Sequence, residues 1–391
     1  MNYREDKHGN KLSALGFGCM RFTKNMSGII YEKAEKEILY AIDLGVNYFD
    51  TAYIYPGSEA LLGEVLEKNN LRDKIYIATK LPHYMMNNIE NCEKTFNEEL
   101  TRLRTDHIDY YLLHMLNDDT SFDRILNFGI DKWLKEKLEN KIIRQIGFSY
   151  HGNTDTFKKI IDKYDWDFCQ IQYNYLDEST QAGVEGLKYA SEKSIPVIIM
   201  EPLQGGRLSS HLPNEAVKLI EEKKQMKPAE FGLRWLYNQK EVTVVLSGMN
   251  SIEMIEENVY TASNSNVGDL NTNDFELYEK VKNIINEKIK VPCTACRYCM
   301  PCPHNVDIPG TFAAYNNYFT SGKFHGIKDY MMCTEFRKVV TSPKNCVECG
   351  LCEKHCPQSI KIRTELKNAR KTLEFPFYNL VSKIIKAFMK Y

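Results

Sequence analysis

The 391-residue sequence has no run of about eighteen apolar residues, so no membrane-crossing helix is expected. Its opening stretch, MNYREDKHGNKLSALGFG, lacks the apolar core of a secretory signal, and a cytoplasmic protein is the expectation. Proline is sparse at 13 residues while Tyr and Phe number 24 and 18, a balance that excludes a disordered chain. Net charge is only −1, which gives no whole-chain reason to expect nucleic acid or an anionic membrane as a partner. No Gly-x-Gly-x-x-Gly turn follows the first β-type run, which argues against a doubly wound dinucleotide-binding sheet. Cysteine is scarce over three quarters of the chain, where only Cys19, Cys92 and Cys169 occur, so a disulfide framework is excluded there.

What is present is unevenly spread. Residues 291–391 carry 15 Lys and Arg against 7 Asp and Glu, whereas 1–290 carry 36 against 45. A basic tail on an acidic body suggests mutual docking or a site for an acidic partner. Nine of the twelve cysteines fall between 293 and 356. A boundary near 288–291, where helical periodicity stops and cysteines begin, divides the chain into expected domains 1–288 and 289–376. A basic amphipathic helix over 377–391 follows, with Phe377, Leu380, Val381, Ile384, Ile385, Phe388 and Met389 on one face. Such a helix packs on its own protein or lies on a membrane surface.

Within 1–288, short β-type runs alternate with amphipathic helical patterns. The strands are expected at 15–19, 47–49, 75–79, 110–113, 144–148, 168–172, 197–200 and 242–246. Eight strands alternating with helices predict a closed parallel (β/α)8 barrel, with a smaller, mainly helical domain after it. Helices are expected there at 312–319 and 327–340.

Active sites of such barrels lie where strands end at their C-terminal edge. Asp50 closes the second predicted strand, Tyr55 follows it, Lys80 closes the third and His114 the fourth. The set suits carbonyl reduction. Hydride delivered to a carbonyl carbon leaves an alkoxide that needs a proton. A Tyr whose pKa is lowered by a neighbouring Lys ammonium can supply it, a carboxylate holds the Lys, and a His hydrogen-bonds the oxygen. Taken singly these residues have plainer readings. Asp50 can cap a helix, His114 can be a satisfied core histidine, and Tyr53 competes with Tyr55 as the acid. His83 and His151 read as structural or exposed.

These residues and spacings resemble the aldo/keto reductase family, whose tetrad is Asp, Tyr, Lys and His in this order. The likeness runs over about 12–263. It implies that Ser149, Tyr150 and Gln170 contact a nicotinamide carboxamide. It places Pro202, Leu203, Gly205 and Gly206 over the pyrophosphate, and Glu257 and Asn258 at the adenine. Met200 stands where many members stack an aromatic ring under the nicotinamide. Gly248 and Met254 stand where NADPH-preferring members carry Lys and Arg, so the resemblance implies NAD(P)(H) without choosing between the two forms.

The cysteines read Cys293-x2-Cys296-x2-Cys299-x2-Cys302-Pro and Cys346-x2-Cys349-x2-Cys352-x3-Cys356-Pro. Three thiolates two residues apart wrap one face of a cubane, and a distant Cys-Pro supplies the fourth ligand, usually to the other cluster. The expected ligands of one [4Fe–4S] cluster are therefore Cys293, Cys296, Cys299 and Cys356. Cys346, Cys349, Cys352 and Cys302 are expected to hold a second. Zinc sites instead separate their ligand pairs by a foldable loop, which these runs lack. Cys333 fits neither run and reads as a buried thiol. The module is similar to helical two-cluster ferredoxin domains attached to other oxidoreductases.

The expected function is an oxidoreductase moving hydride between NAD(P)(H) and a small carbonyl or alcohol substrate, with clusters for electron transfer and an electron-carrier protein as partner. Hydride carries two electrons and a [4Fe–4S] centre one, so a flavin in the barrel is one alternative. A non-catalytic nucleotide-binding redox sensor is another.

Overall fold

The computed structural model describes residues 1–25, 28–116, 119–179, 181–320, 322–335, 339–378 and 381–382. Eight parallel strands close into a barrel: β1 (Leu15–Gly18), β2 (Tyr48–Asp50), β3 (Tyr76–Leu81), β4 (Ile108–Leu116), β5 (Ile143–Tyr150), β6 (Phe168–Gln172), β7 (Val197–Met200) and β8 (Val242–Ser247). Each pairs with its successor and β8 pairs with β1, the order expected from the sequence. The strands are nearly continuous apolar runs, as strands covered on both faces require. Tyr48, Ala78, Tyr110, Leu112, Phe168, Ile198 and Val244 fill the interior with Leu12, which comes from an N-terminal hairpin, Tyr3–Glu5 with Lys11–Ser13. The barrel is thus a packed core rather than a pore.

Amphipathic helices cover the outside. The helix Ile89–Leu103 begins where Asn88 Oδ1 accepts the Asn91 N–H at 2.9 Å, and it buries Cys92, Phe96 and Leu103. Its end meets the helix Ser58–Lys68 at Gly63. A Cβ added there would lie 2.5 Å from the Arg102 carbonyl oxygen, so only glycine permits the approach. Gly63→Ala should destabilise the barrel by about 1–3 kcal/mol, the usual cost of overpacking. The check is the urea midpoint read from tryptophan fluorescence, since Trp133, Trp166 and Trp235 all lie in the barrel unit.

The chain forms two compact units: Met1–Pro202 with Gly232–Asn271, and Leu203–Phe231 with Thr272–Tyr391. These units do not follow sequence order, because the segment 203–231 and the helix Thr272–Lys288 group with the cysteine-rich part. Within the second unit Phe231 stacks on Tyr278 at 3.9 Å, and the Tyr278 hydroxyl donates to the Phe231 carbonyl at 2.7 Å. The unit is helical, as expected, with Ile308–Thr320, Lys323–Thr334 and Ile362–Leu373 packing through Phe312, Tyr315, Tyr330, Leu366 and Leu373. The second of these ends at Thr334, short of the expected 340. The Thr341 N–H donates to the Thr334 carbonyl and its hydroxyl to the Cys333 carbonyl at 2.6 Å, and 336–338 of the expected helix lie outside the described residues. Most of the expected helix over 377–391 lies outside the described residues. No described helix is long and apolar enough to cross a membrane.

Candidate functional site

At the C-terminal edge of the barrel Asp50, Tyr55, Lys80 and His114 converge. Lys80 is almost fully buried, and its ammonium donates to Asp50 Oδ1 and to the Thr51 carbonyl, both at 2.6 Å. A buried cation needs such compensation, because an unpaired charge there would cost several kcal/mol, roughly. Asp50 Oδ2 accepts from Gln170 Nε2 at 2.8 Å, which ties β6 to the pair. Lys80 Nζ lies 5.2 Å from the Tyr55 ring centre, and the His114 ring meets the same ring edge-on at 6.0 Å. Tyr53 turns elsewhere: its hydroxyl donates to Glu98 Oε2 at 2.7 Å beneath the Arg102 guanidinium. Tyr55 is therefore the tyrosine at Lys80.

The electrostatics refine the expectation from sequence. A Lys neighbour was expected to lower the Tyr55 pKa, yet burial, followed by the charges of Asp50 and Glu201, pushes this phenol well above its ordinary value. Burial comes first because it strips water from the phenolate, and the Arg21 cation only partly opposes the two carboxylates. The phenol therefore keeps its proton at neutral pH. Burial, then the neighbouring Lys80, His151 and His83, holds His114 well below the usual histidine range. It is a neutral imidazole, and its Nδ1 is buried without a hydrogen-bond partner among the described residues. His83 and His151 are buried, His83 Nε2 lying 3.4 Å from the Met115 carbonyl and His151 Nδ1 3.2 Å from Gln181 Oε1.

The other barrel positions fall at the same edge or just beyond it. Ser149 Oγ accepts the Met115 N–H at 2.8 Å, and the buried Tyr150 donates its hydroxyl to the Asn153 carbonyl at 2.6 Å. Met200, partly buried, ends β7, and Pro202 closes that part of the unit. Gly248 follows β8, where an added Cβ would stand 3.0 Å from Arg21 Cδ. Met254 is exposed at the start of the helix Ile252–Ser263, its N–H donating to Ser251 Oγ. Glu257 lies on that helix beside Asn258, whose amide donates to Ser247 Oγ at 3.0 Å. Leu203, Gly205 and Gly206 belong to the second unit. There both glycines adopt left-handed backbone, φ 68 and 98, which favours glycine. Sequence reasoning passed over Arg21 and Glu201, whose charges both act on Tyr55. Arg21 was findable, since it stands just past the end of β1.

The cysteines show an equally specific arrangement. Cys293, Cys296, Cys299 and Cys356 line one pocket together with Pro309, Phe312, Ile360 and Ile362. The distant Cys356 thus joins the first run. Burial and the adjacent Cys293, Cys296 and Cys356 push the Cys299 thiol up to about 12. Burial, Glu353 and Cys346 push Cys352 up to about 11. Sulfurs gathered at this cost fit a cationic iron centre, which would hold them as thiolates. Among the described residues no three Cys, His, Asp or Glu side chains could share one metal ion. Cys302, Cys346 and Cys352 pack on the same apolar core, and Cys349 is exposed. Cys333, expected to be buried, is only half-buried, with Sγ 3.4 Å from the Tyr330 carbonyl.

Residues 14–281 match the model of the aldo/keto reductase family. The chain belongs to this family. Among curated relatives, an L-galactose dehydrogenase of Arabidopsis thaliana is 29% identical over 274 residues, covering 64% of this chain and 84% of the relative. The aldo-keto reductase yakc [NADP(+)] of Schizosaccharomyces pombe is 25% identical over 296 residues, with the same two coverages. Among solved structures, the aldo-keto reductase AKR11C1 of Bacillus halodurans in its holo form superposes with TM-score 0.60 and 24% identity. It covers 72% of this chain and 96% of its own. An aldo/keto reductase of Klebsiella pneumoniae in complex with NADP and acetate gives 0.59 at 19% identity, covering 72% and 95%. Residues 292–360 match the 4Fe-4S dicluster domain. This aldo/keto reductase is thus an oxidoreductase by family, with its barrel followed by a segment of dicluster type.

Proposed function

We propose that this aldo/keto reductase transfers hydride between NAD(P)(H) and a small carbonyl or alcohol compound, and that its second unit holds two [4Fe–4S] clusters for one-electron transfer. The observation that carries the reading is Lys80 Nζ, bonded to Asp50 and set beside the rings of Tyr55 and His114. When bound, the nicotinamide supplies or accepts the hydride at the substrate carbon. In reduction, the neutral His114 hydrogen-bonds the carbonyl oxygen and holds it toward Tyr55. Tyr55 passes its phenolic proton to that oxygen as negative charge develops there. The Lys80 ammonium stabilises the phenolate left behind, and Asp50, braced by Gln170, keeps Lys80 in place. Tyr55 regains its proton from solvent, and alcohol oxidation runs the same steps in reverse.

Ser149, Tyr150, Gln170 and Met200 are assigned to the nicotinamide, and Pro202, Leu203, Gly205 and Gly206 to the pyrophosphate. Gly248, Met254, Glu257 and Asn258 are assigned to the adenosine end. Cys293, Cys296, Cys299 and Cys356 would hold one cluster, and Cys346, Cys349, Cys352 and Cys302 the other. The NADP named for the neighbour from Klebsiella pneumoniae favours a nicotinamide over a flavin in the barrel. The cytoplasm, where thiols stay reduced, is the compartment that suits such ligands.

The test uses protein purified without air and NADH or NADPH deuterated at C4, offered with a panel of aldehydes and ketones. Deuterium should appear on the carbinol carbon of a product, and the protein should contain about eight iron and eight sulfide per chain. Failure of label transfer across the panel would sink the hydride half. Zinc in place of iron would sink the other.

A further inference from the structure

The two cysteine sets differ in exposure. The pocket of Cys293, Cys296, Cys299 and Cys356 is also lined by Pro309, Phe312, Ile360 and Ile362. In the other set Cys349 is exposed, the one cysteine in the protein that is. On either side of it Val347 and Leu351 are 60% and 45% exposed, so apolar side chains stand in water directly at a ligand loop. Glu348 and Gly350 adopt left-handed backbone, φ 60 and 77, which turns the chain tightly around Cys349.

The segment around that turn is basic. Residues 341–371 hold seven Lys and Arg against three Asp and Glu. The loop's own acids are spent: Glu353 pairs with Arg363 at 2.7 Å and Glu348 with Lys367 at 2.8 Å. Lys354 and Lys361 are both exposed and have no salt bridge among the described residues, and Lys361 adds to the positive field at Glu353. A small apolar tip in a segment with an excess of exposed basic side chains matches the needs of a transient partner. Charge steers the encounter, and a little apolar contact holds it without making it permanent.

We infer that the Val347–Leu351 tip and its Lys354–Lys361 rim form the docking surface for a small acidic protein that carries electrons one at a time. The inference rests on the proposed clusters and names the partner of the outer set. One electron passes from the reduced carrier toward the centre held by Cys346, Cys349, Cys352 and Cys302, and no bond is made or broken. Electron-transfer encounters of this kind use small interfaces, and a patch of this extent suffices.

The test measures binding rather than turnover. Anaerobically purified full-length protein is titrated with an oxidised acidic [2Fe–2S] ferredoxin, as wild type, as Lys354→Glu/Lys361→Glu, and as Lys135→Glu, a control on an exposed barrel helix. The double reversal should raise Kd by about tenfold or more, and wild-type affinity should fall steeply between about 50 and 500 mM salt. The control should leave Kd unchanged. With iron and sulfide at full content, a Kd indifferent to both the reversal and salt overturns the docking surface alone. Absence of inorganic sulfide overturns the cluster reading beneath it.

Discussion

Replacing Tyr55 with phenylalanine is expected to lower turnover by about a thousandfold or more while leaving nicotinamide affinity nearly unchanged. Burial keeps this phenol protonated, and Lys80 Nζ lies 5.2 Å from its ring. Tyr53, the nearest rival in sequence, spends its hydroxyl on Glu98. The substitution keeps the ring that His114 and Lys80 pack against and removes only the proton donor. Lys80→Met should produce a loss of similar size by a different route. Without the ammonium the phenolate is unsupported, and Asp50 is left buried with only the Gln170 amide. The two can be separated by stability. Tyr55→Phe should unfold at the wild-type urea midpoint, whereas Lys80→Met, which strands a buried carboxylate, should unfold at a lower one. Retained turnover in Tyr55→Phe removes this tyrosine from the chemistry.

Cys356→Ser should cut iron and sulfide from about eight to about four per chain, and the loss should fall on the centre of the first cysteine run. The cavity geometry decides which centre suffers. Cys356 follows Cys352 by four residues in sequence, yet its sulfur faces the space lined by Cys293, Cys296 and Cys299. Ligation within each run would instead leave the first centre intact. Cys302→Ser supplies the converse, with loss expected from the run that begins at Cys346. Electron paramagnetic resonance of the reduced variants, with iron counted in parallel, distinguishes the outcomes. Equal signals from Cys356→Ser and wild type would remove Cys356 from the ligand set. Because such sites also hold their domain folded, both variants should lose stability in the second unit.

Much of this was legible along the chain, for reasons specific to each feature. Strand-length apolar runs alternating with helical patterns leave few arrangements other than a closed parallel sheet. Asp50, Lys80 and His114 could be placed because a strand end in such a barrel has a known destination, the catalytic edge. The cysteine runs were readable because their steps of three suit a cluster and leave no loop for zinc. Helix ends were read less well. The helix expected to reach 340 ends at Thr334, whose carbonyl accepts from the Thr341 N–H, a contact that periodicity does not contain.

The state of Tyr55 could not be read in this way. A Lys beside a Tyr suggests a lowered pKa, but the sign follows from the whole field, and only the fold brings Asp50 onto Lys80 and the charges of Glu201 and Arg21 near the ring. The same holds for the grouping of 203–231 with the cysteine-rich part, since compactness depends on contacts between distant segments. Residue identity and spacing by themselves determined the barrel, the set of polar residues at its edge and the thiol-rich character of the tail. Folding alone decided which tyrosine faces the lysine, which way its proton affinity moves and which cysteine set reaches water. Periodicity and ligand spacing are local properties written along the chain, whereas burial and electrostatic potential are sums over neighbours that only three dimensions supply.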